Sequence, residues 1–223
     1  MHFYIHSMPA LSRNIESFDF GNTNVRLWVP MLEGLQRSRV VRMGADGATF
    51  PYWAKLWPSS IALCRYVAAH PHLVVNKKVL ELAAGLGLPG IFAAHLAREV
   101  IISDYVPEAV TIMRSSVALN KCDNVHCRTL NWNKLPPDLN AEVLLVSDIN
   151  YEPLAFEVLY KVLTDFLAKG TTILMATPQR LIAKTFIERL LPHCVAQHEE
   201  QVCLLGELTF ISIFVLCERP KAL

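Results

Sequence analysis

Gly85, Gly87 and Gly90 form a G-x-G-x-x-G pattern within Glu81-Leu-Ala-Ala-Gly-Leu-Gly-Leu-Pro-Gly90. Glycines at this spacing permit a tight turn and let a ligand approach the backbone closely. The residues before the pattern read as a strand and those after it as a helix, the context that turns a weak match into a cofactor loop. A pyrophosphate would use free amides at the helix N-terminus, and Pro89 removes one of them, which disfavours a dinucleotide. Glu81 closes the strand and is placed to hold a charged amino-acid group, directly or through water. Asp104 ends the next strand, Val100-Ile-Ile-Ser-Asp104, where an acidic side chain accepts hydrogen bonds from ribose hydroxyls. A cap on the loop before Pro107 is its structural alternative.

Two further groups follow at later strand ends. Asn131 and Trp132 come after the third strand of this series, where a base would lie. Trp132 could stack on it and Asn131 could hydrogen-bond to it, or the two could be a turn asparagine and a buried indole. Ser147 and Asp148 end the fourth strand, beside the crevice where open α/β sheets bind ligands, and Tyr151 follows on the loop. Asn150 between them has no clear direction. Upstream, Phe50-Pro-Tyr-Trp-Ala-Lys-Leu-Trp-Pro58 is dense in aromatic residues, with Trp53 the one best suited to the core.

These residues need a scaffold that brings strand ends together. The pattern supplies strands over Lys78–Leu82, Glu99–Ser103, Val125–Thr129, Glu142–Ser147 and Thr171–Ala176. Helices are expected over Ser59–Ala69, Leu88–Ala97, Pro107–Asn120, Leu154–Ala168 and Gln179–Leu191, with Gly170 ending the fourth. Alternating strands and helices imply a doubly wound, mostly parallel sheet with helices on both faces. Ala196–Leu205 and Leu208–Cys217 have no helix between them, so they add an antiparallel hairpin around Gly206-Glu207 and bring the sheet to seven strands. A separate hairpin, Glu16–Pro30 with its turn at Gly21-Asn-Thr-Asn24, precedes the whole. Residues 1–50 thus read as an extension to a domain over 51–223.

Composition bounds the rest. Of 223 residues, 52% are hydrophobic and 18% charged, enough for a buried core. A net charge of +1 and no dense Lys/Arg run exclude a whole-chain attraction to nucleic acid or an acidic membrane. Six cysteines without paired Cys/His spacing give no reason to expect a metal and read as thiols in a reducing cytoplasm. The N-terminal Met-His-Phe-Tyr-Ile-His shows no signal peptide. No histidine arrangement, nucleophile elbow or phosphate-binding lysine loop competes with the glycine loop.

Taken together, these motifs resemble the class I methyltransferases, and more narrowly methyltransferase family 16, the seven-β-strand protein-lysine methyltransferases. Val79–Ile91 resembles the first motif. Trp57-Pro-Ser-Ser-Ile-Ala-Leu-Cys-Arg-Tyr66 resembles the W-P-x-x-x-x-L-x-x-Y/F helix, Leu130-Asn-Trp132 the L-x-W, and Asp148-Ile-Asn-Tyr151 the D-x-x-Y. The likeness runs from about residue 50 to 180. It implies S-adenosyl-L-methionine as cofactor, held by Trp57, Glu81, Ala83, Gly85, Gly87, Asp104, Asn131, Trp132 and Ser147. It implies Asp148 and Tyr151 at the acceptor, with methyl transfer to a protein lysine and neither nucleic acid nor membrane as partner. Ala83 stands where the motif has glycine, and the expectation is that this position needs no positive φ. Small-molecule N-methylation, a nicotinamide-dependent oxidoreductase on the same loop, and a non-catalytic binding module are the alternatives.

Overall fold

The computed structural model describes residues 12–31 and 51–218. The N-terminal residues read for a leader, the polar stretch through Thr49 and Phe50 lie outside the described residues. After a two-strand hairpin, β1 (Arg13–Phe20) and β2 (Thr23–Pro30), come helix α1 (Pro58–Ala69), strand β3 (Lys78–Glu81), helix α2 (Leu88–Ala93) and strand β4 (Glu99–Asp104). Helix α3 (Pro107–Asn120), β5 (Val125–Thr129), β6 (Val143–Ser147), α4 (Phe156–Ala168), β7 (Thr172–Pro178), α5 (Lys184–Leu190), β8 (Cys194–Leu204) and β9 (Glu207–Leu216) complete the order.

Seven strands form one sheet in the order β5-β4-β3-β6-β7-β9-β8. Strands β3 to β7 pair in parallel, and β9 runs antiparallel between β7 and β8. The chain winds outward from β3 to β5, then returns to lay β6 on the other side of β3. That reversal leaves a crevice at the carboxyl ends of β3, β4 and β6, the place where such sheets take ligands. Strand alternation sorts the two faces. Val143 and Leu145 join a core with α1, α2 and α3, whereas Leu144 and Val146 join one with α4 and α5.

Several boundaries differ from the sequence reading. The first turn contains two residues, not four, because Phe20 pairs with Thr23 and Gly21 supplies a φ of +61°. Helix α2 ends at Ala93, not Ala97: His95 and Leu96 bond back to Phe92 and Ala93, tightening the chain for its return to β4. The helix expected from Gln179 starts as a 3-10 turn, Leu181–Ala183, before α5.

The hairpin is fastened to the sheet domain by its second strand. Val25 and Leu27 are fully buried, and the Phe20 ring meets Phe92 edge-on at 5.2 Å. On the free edge of β2, Arg26 N–H donates to Asn120 Oδ1 at 2.9 Å and Trp28 N–H donates to Ser116 Oγ at 3.0 Å. Helix side chains thereby satisfy backbone groups that would otherwise invite a foreign strand. Leu27→Ala is expected to lower the unfolding free energy by about 2–5 kcal/mol. Circular dichroism and tryptophan fluorescence should report the same shifted transition. A hairpin that melts alone, with the sheet unchanged, would contradict the shared core.

Candidate functional site

The link from β3 to α2 is held from below. Glu81 has no exposed surface, and its Oε2 accepts the Gly90 N–H at 2.7 Å. A Cβ on Gly90 would lie 2.6 Å from that same oxygen, so the carboxylate and a side chain at 90 exclude each other. The Glu81 backbone oxygen also accepts the Ser103 hydroxyl at 2.8 Å, which ties the end of β3 to β4. Burial pushes the Glu81 carboxyl up to about 8, opposed by the Gly90 N–H and reinforced by the nearby Asp104. Its Oε1 has no hydrogen-bond partner among the described residues. Glu81 therefore serves the loop from inside and does not line the cavity above it, contrary to its expected place at an amino-acid group.

Above Glu81 the loop runs through three left-handed residues: Ala83 (φ +51°), Gly85 (φ +57°) and Gly87 (φ +78°). Ala83 corrects the sequence expectation, since this position does adopt a positive φ although it carries a Cβ, a conformation that costs about 1–2 kcal/mol. At Gly85 a Cβ would stand 3.1 Å from the Trp53 carbonyl, so glycine lets the aromatic segment lie directly on the loop. Trp53 itself is buried in the core, as its sequence reading has it.

Asp104 closes the loop from the side. It is 4% exposed; its Oδ2 accepts the Gly85 N–H and its Oδ1 the Val106 N–H, both at 3.0 Å. Burial raises its carboxyl above the ordinary range, against the pull of those N–H donors. The Tyr105 N–H adds a third donor, and a carboxylate with about four acceptor positions still retains a lone pair for a further one. Asp104 thus acts as the loop cap and also faces the cavity.

That cavity has a volume of about 620 Å³. Trp57, Ala83, Gly85, Gly87, Asp104, Trp132, Ser147, Asp148 and Tyr151 all line it, nine of the eleven residues that the sequence singled out. Glu81 and Asn131 do not. Asn131 is exposed, and its Oδ1 accepts the Asn133 N–H at 2.9 Å, capping a 3-10 turn. Its side chain is thereby spent on local structure. Asn150 is buried, with Oδ1 accepting the Thr177 hydroxyl at 2.7 Å.

Asp148 has a positive φ (+56°) and its N–H donates to Ala176 O at 2.9 Å. Its carboxylate is gripped by the Arg180 guanidinium, with Nη1 on Oδ1 and Nη2 on Oδ2 at 3.2 Å. The Asp148 side chain is 4% exposed and that of Arg180 30%, so the pair is only lightly screened by solvent. The sequence reading missed Arg180. Its signal is a lone cation just past the end of β7, the parallel neighbour of β6, in which Ser147 pairs with Ala176. Tyr151 is half-exposed, and burial pushes its phenol up to about 12, so it stays a protonated donor at neutral pH.

An aromatic row closes the mouth. Tyr52 lies 5.4 Å from Tyr151 and 6.1 Å from Trp57, ring to ring. The Trp57 indole N–H donates to Tyr52 O at 3.0 Å, and the Lys55 ammonium rests 4.7 Å above the Trp57 ring. Trp57 therefore already has a cation on its face.

A family model described as lysine methyltransferase matches residues 42–193. The histone-arginine methyltransferase METTL23 of Xenopus laevis is 36% identical over 112 residues, covering 48% of each chain. The mouse EEF1A lysine methyltransferase 3 is 32% identical over 160 residues, covering 67% of this chain and 68% of that protein. The matches span about half the length of the histone-arginine methyltransferases. In fold, the N-methyltransferase NodS of Bradyrhizobium japonicum, solved with S-adenosyl-L-homocysteine, superposes with a TM-score of 0.57 at 13% identity. That alignment covers 71% of this chain and 86% of NodS.

The raised Glu81 carboxyl carries a pH signature. A carboxyl that holds its proton more tightly when folded stabilises the fold at low pH, and that contribution is lost as pH climbs from its ordinary 4.5 to its folded value of about 8. Glu81→Gln keeps a neutral side chain at every pH. It should flatten the fall in melting temperature between about pH 5 and 8. An unchanged slope in the variant would remove Glu81 as its source.

Proposed function

Because the chain belongs to the lysine methyltransferase family, we propose that it transfers a methyl group from S-adenosyl-L-methionine to the side-chain amine of a protein lysine. The observation that carries this reading is the cavity itself. One wall is a glycine loop in which side chains at 85 and 87 would be strained at positive φ and crowd Trp53 and Ile102, and beside it stands a buried Asp104 with a lone pair to spare. A volume of about 620 Å³ suits a ligand of nucleoside size with an extension. The cofactor supplies an electrophilic methyl carried on a sulfonium.

The chain's residues bind, orient and desolvate. Asp104 accepts the ribose hydroxyls, and Trp132 offers a face to the base. The aromatic row Trp57, Tyr52 and Tyr151 lines the mouth. The acceptor must be a neutral amine, and a lysine amine with its ordinary pKa of about 10.4 is almost wholly protonated at neutral pH. Asp148, held in one orientation by Arg180, accepts a hydrogen bond from the amine and turns its lone pair toward the methyl. Tyr151, still protonated, bounds the channel. The lysine ammonium must first lose its proton to solvent; alignment of the neutral amine then supplies most of the rate, the N–CH3 bond forming as the S–CH3 bond breaks and the cofactor leaves as its thioether.

An arginine acceptor is the second reading, favoured by the names of the Xenopus and human relatives. Among the described residues no helix is long and apolar enough to cross a membrane. The six cysteines Cys64, Cys122, Cys127, Cys194, Cys203 and Cys217, all among the described residues, are free thiols.

Incubation with tritiated S-adenosyl-L-methionine and a cell lysate should put label into protein that hydrolyses to methyl-lysine. Methyl-arginine would select the second reading, and label confined to small molecules would overturn both. Asp104→Ala should weaken cofactor binding by about tenfold or more. Asp148→Ala should leave that affinity nearly unchanged and lower turnover by about a hundredfold. Full turnover in Asp148→Ala would remove it from the acceptor site.

A further inference from the structure

Sorting the cavity's charged residues isolates one side chain. Among the described residues, Lys55 is the only lysine or arginine that lines it; the other charged lining residues are Asp104, Asp148 and Glu152. The Lys55 ammonium has no ion-pair or hydrogen-bond partner among the described residues and stays over the Trp57 ring at 4.7 Å. Glu81, to which the sequence gave the amino-acid end, is sealed beneath the loop. Asp148 is neutralised by Arg180, and Asp104 is committed to the loop and the ribose side.

We propose that Lys55 is the counter-ion for the α-carboxylate at the amino-acid end of the cofactor. This rests on the reading that the cavity takes S-adenosyl-L-methionine. Among the described residues, a carboxylate entering here meets Asp104 and Glu152, which repel it, an Asp148 already paired with Arg180, and one unpaired cation, Lys55. Lys55 sits on the segment that the glycine loop carries, since the Trp53 carbonyl stands 3.1 Å from where a Gly85 Cβ would be. The ammonium and the loop therefore belong to one wall. Contact with the indole keeps the flexible lysine stem near the cavity before any ligand arrives. Pairing with a carboxylate then replaces a cation–π contact by a charge-assisted hydrogen bond, which is the stronger of the two in a partly enclosed site.

Titration calorimetry on the full chain tests this without an acceptor. S-adenosyl-L-homocysteine carries the amino-acid carboxylate. 5′-Methylthioadenosine keeps the adenosine and the thioether but lacks it. Lys55→Met should weaken homocysteine-ligand binding by about tenfold or more and leave methylthioadenosine within about twofold. Lys55→Arg should retain most of the affinity, and added salt should narrow the gap between wild type and Lys55→Met. Equal homocysteine-ligand affinity in Lys55→Met and wild type would overturn the proposal. So would an equal loss for both ligands, because the effect would then lie outside the carboxylate. If wild type bound neither ligand, the cofactor reading would fall and take this proposal with it, and the wild-type titration alone would show that.

Discussion

A carboxyl group without access to water, that of Glu81, is the constraint on which the site depends. Glu81 Oε2 holds the Gly90 N–H at 2.7 Å, and its backbone oxygen holds the Ser103 hydroxyl. These two bonds fix the end of β3 to the start of α2 and to β4. With its ends fixed, the loop between them has no regular path and passes through left-handed conformations at 83, 85 and 87. That path turns backbone, not side chains, toward the crevice. It also brings the Gly85 N–H to Asp104, which places that carboxylate at the cavity wall. The desolvation of Glu81 is the cost of this arrangement, seen in a carboxyl raised to about 8.

A second constraint is charge. The described cavity wall carries Asp104, Asp148 and Glu152 against Lys55. Arg180 reaches Asp148 from the end of β7 and leaves its carboxylate oriented but no longer an isolated negative charge. Such a site suits a ligand that is itself mixed in charge, with hydroxyl donors at one end and a zwitterion at the other. The D-x-x-Y carboxylate then works by direction more than by net charge.

Much of this was legible in the sequence because strand ends are local events. Asp104, Ser147 and Asp148 follow apolar runs that can only be strands, and the parallel order of the sheet carries those ends to one edge. Gly85 and Gly87 are visible for the same reason. What the sequence hid depends on side-chain direction. Glu81 and Asn131 stand at the right places in the chain, yet the first turns inward to Gly90 and the second turns back to Asn133. Arg180 comes from a strand end 32 residues beyond Asp148, a pairing that only the sheet register reveals. Ala83 misled because alanine is a poor sign of a left-handed backbone, which here the fixed loop ends impose.

The central claim is that this loop and Asp104 form the cradle of an adenosyl cofactor. A crystal structure with S-adenosyl-L-homocysteine bound tests it most directly. The account predicts ribose hydroxyls on Asp104, the ligand backbone against Gly85 and Gly87, and Glu81 still on Gly90. A ligand bound elsewhere, or a loop that refolds so that Glu81 leaves Gly90 to reach the ligand, would contradict it.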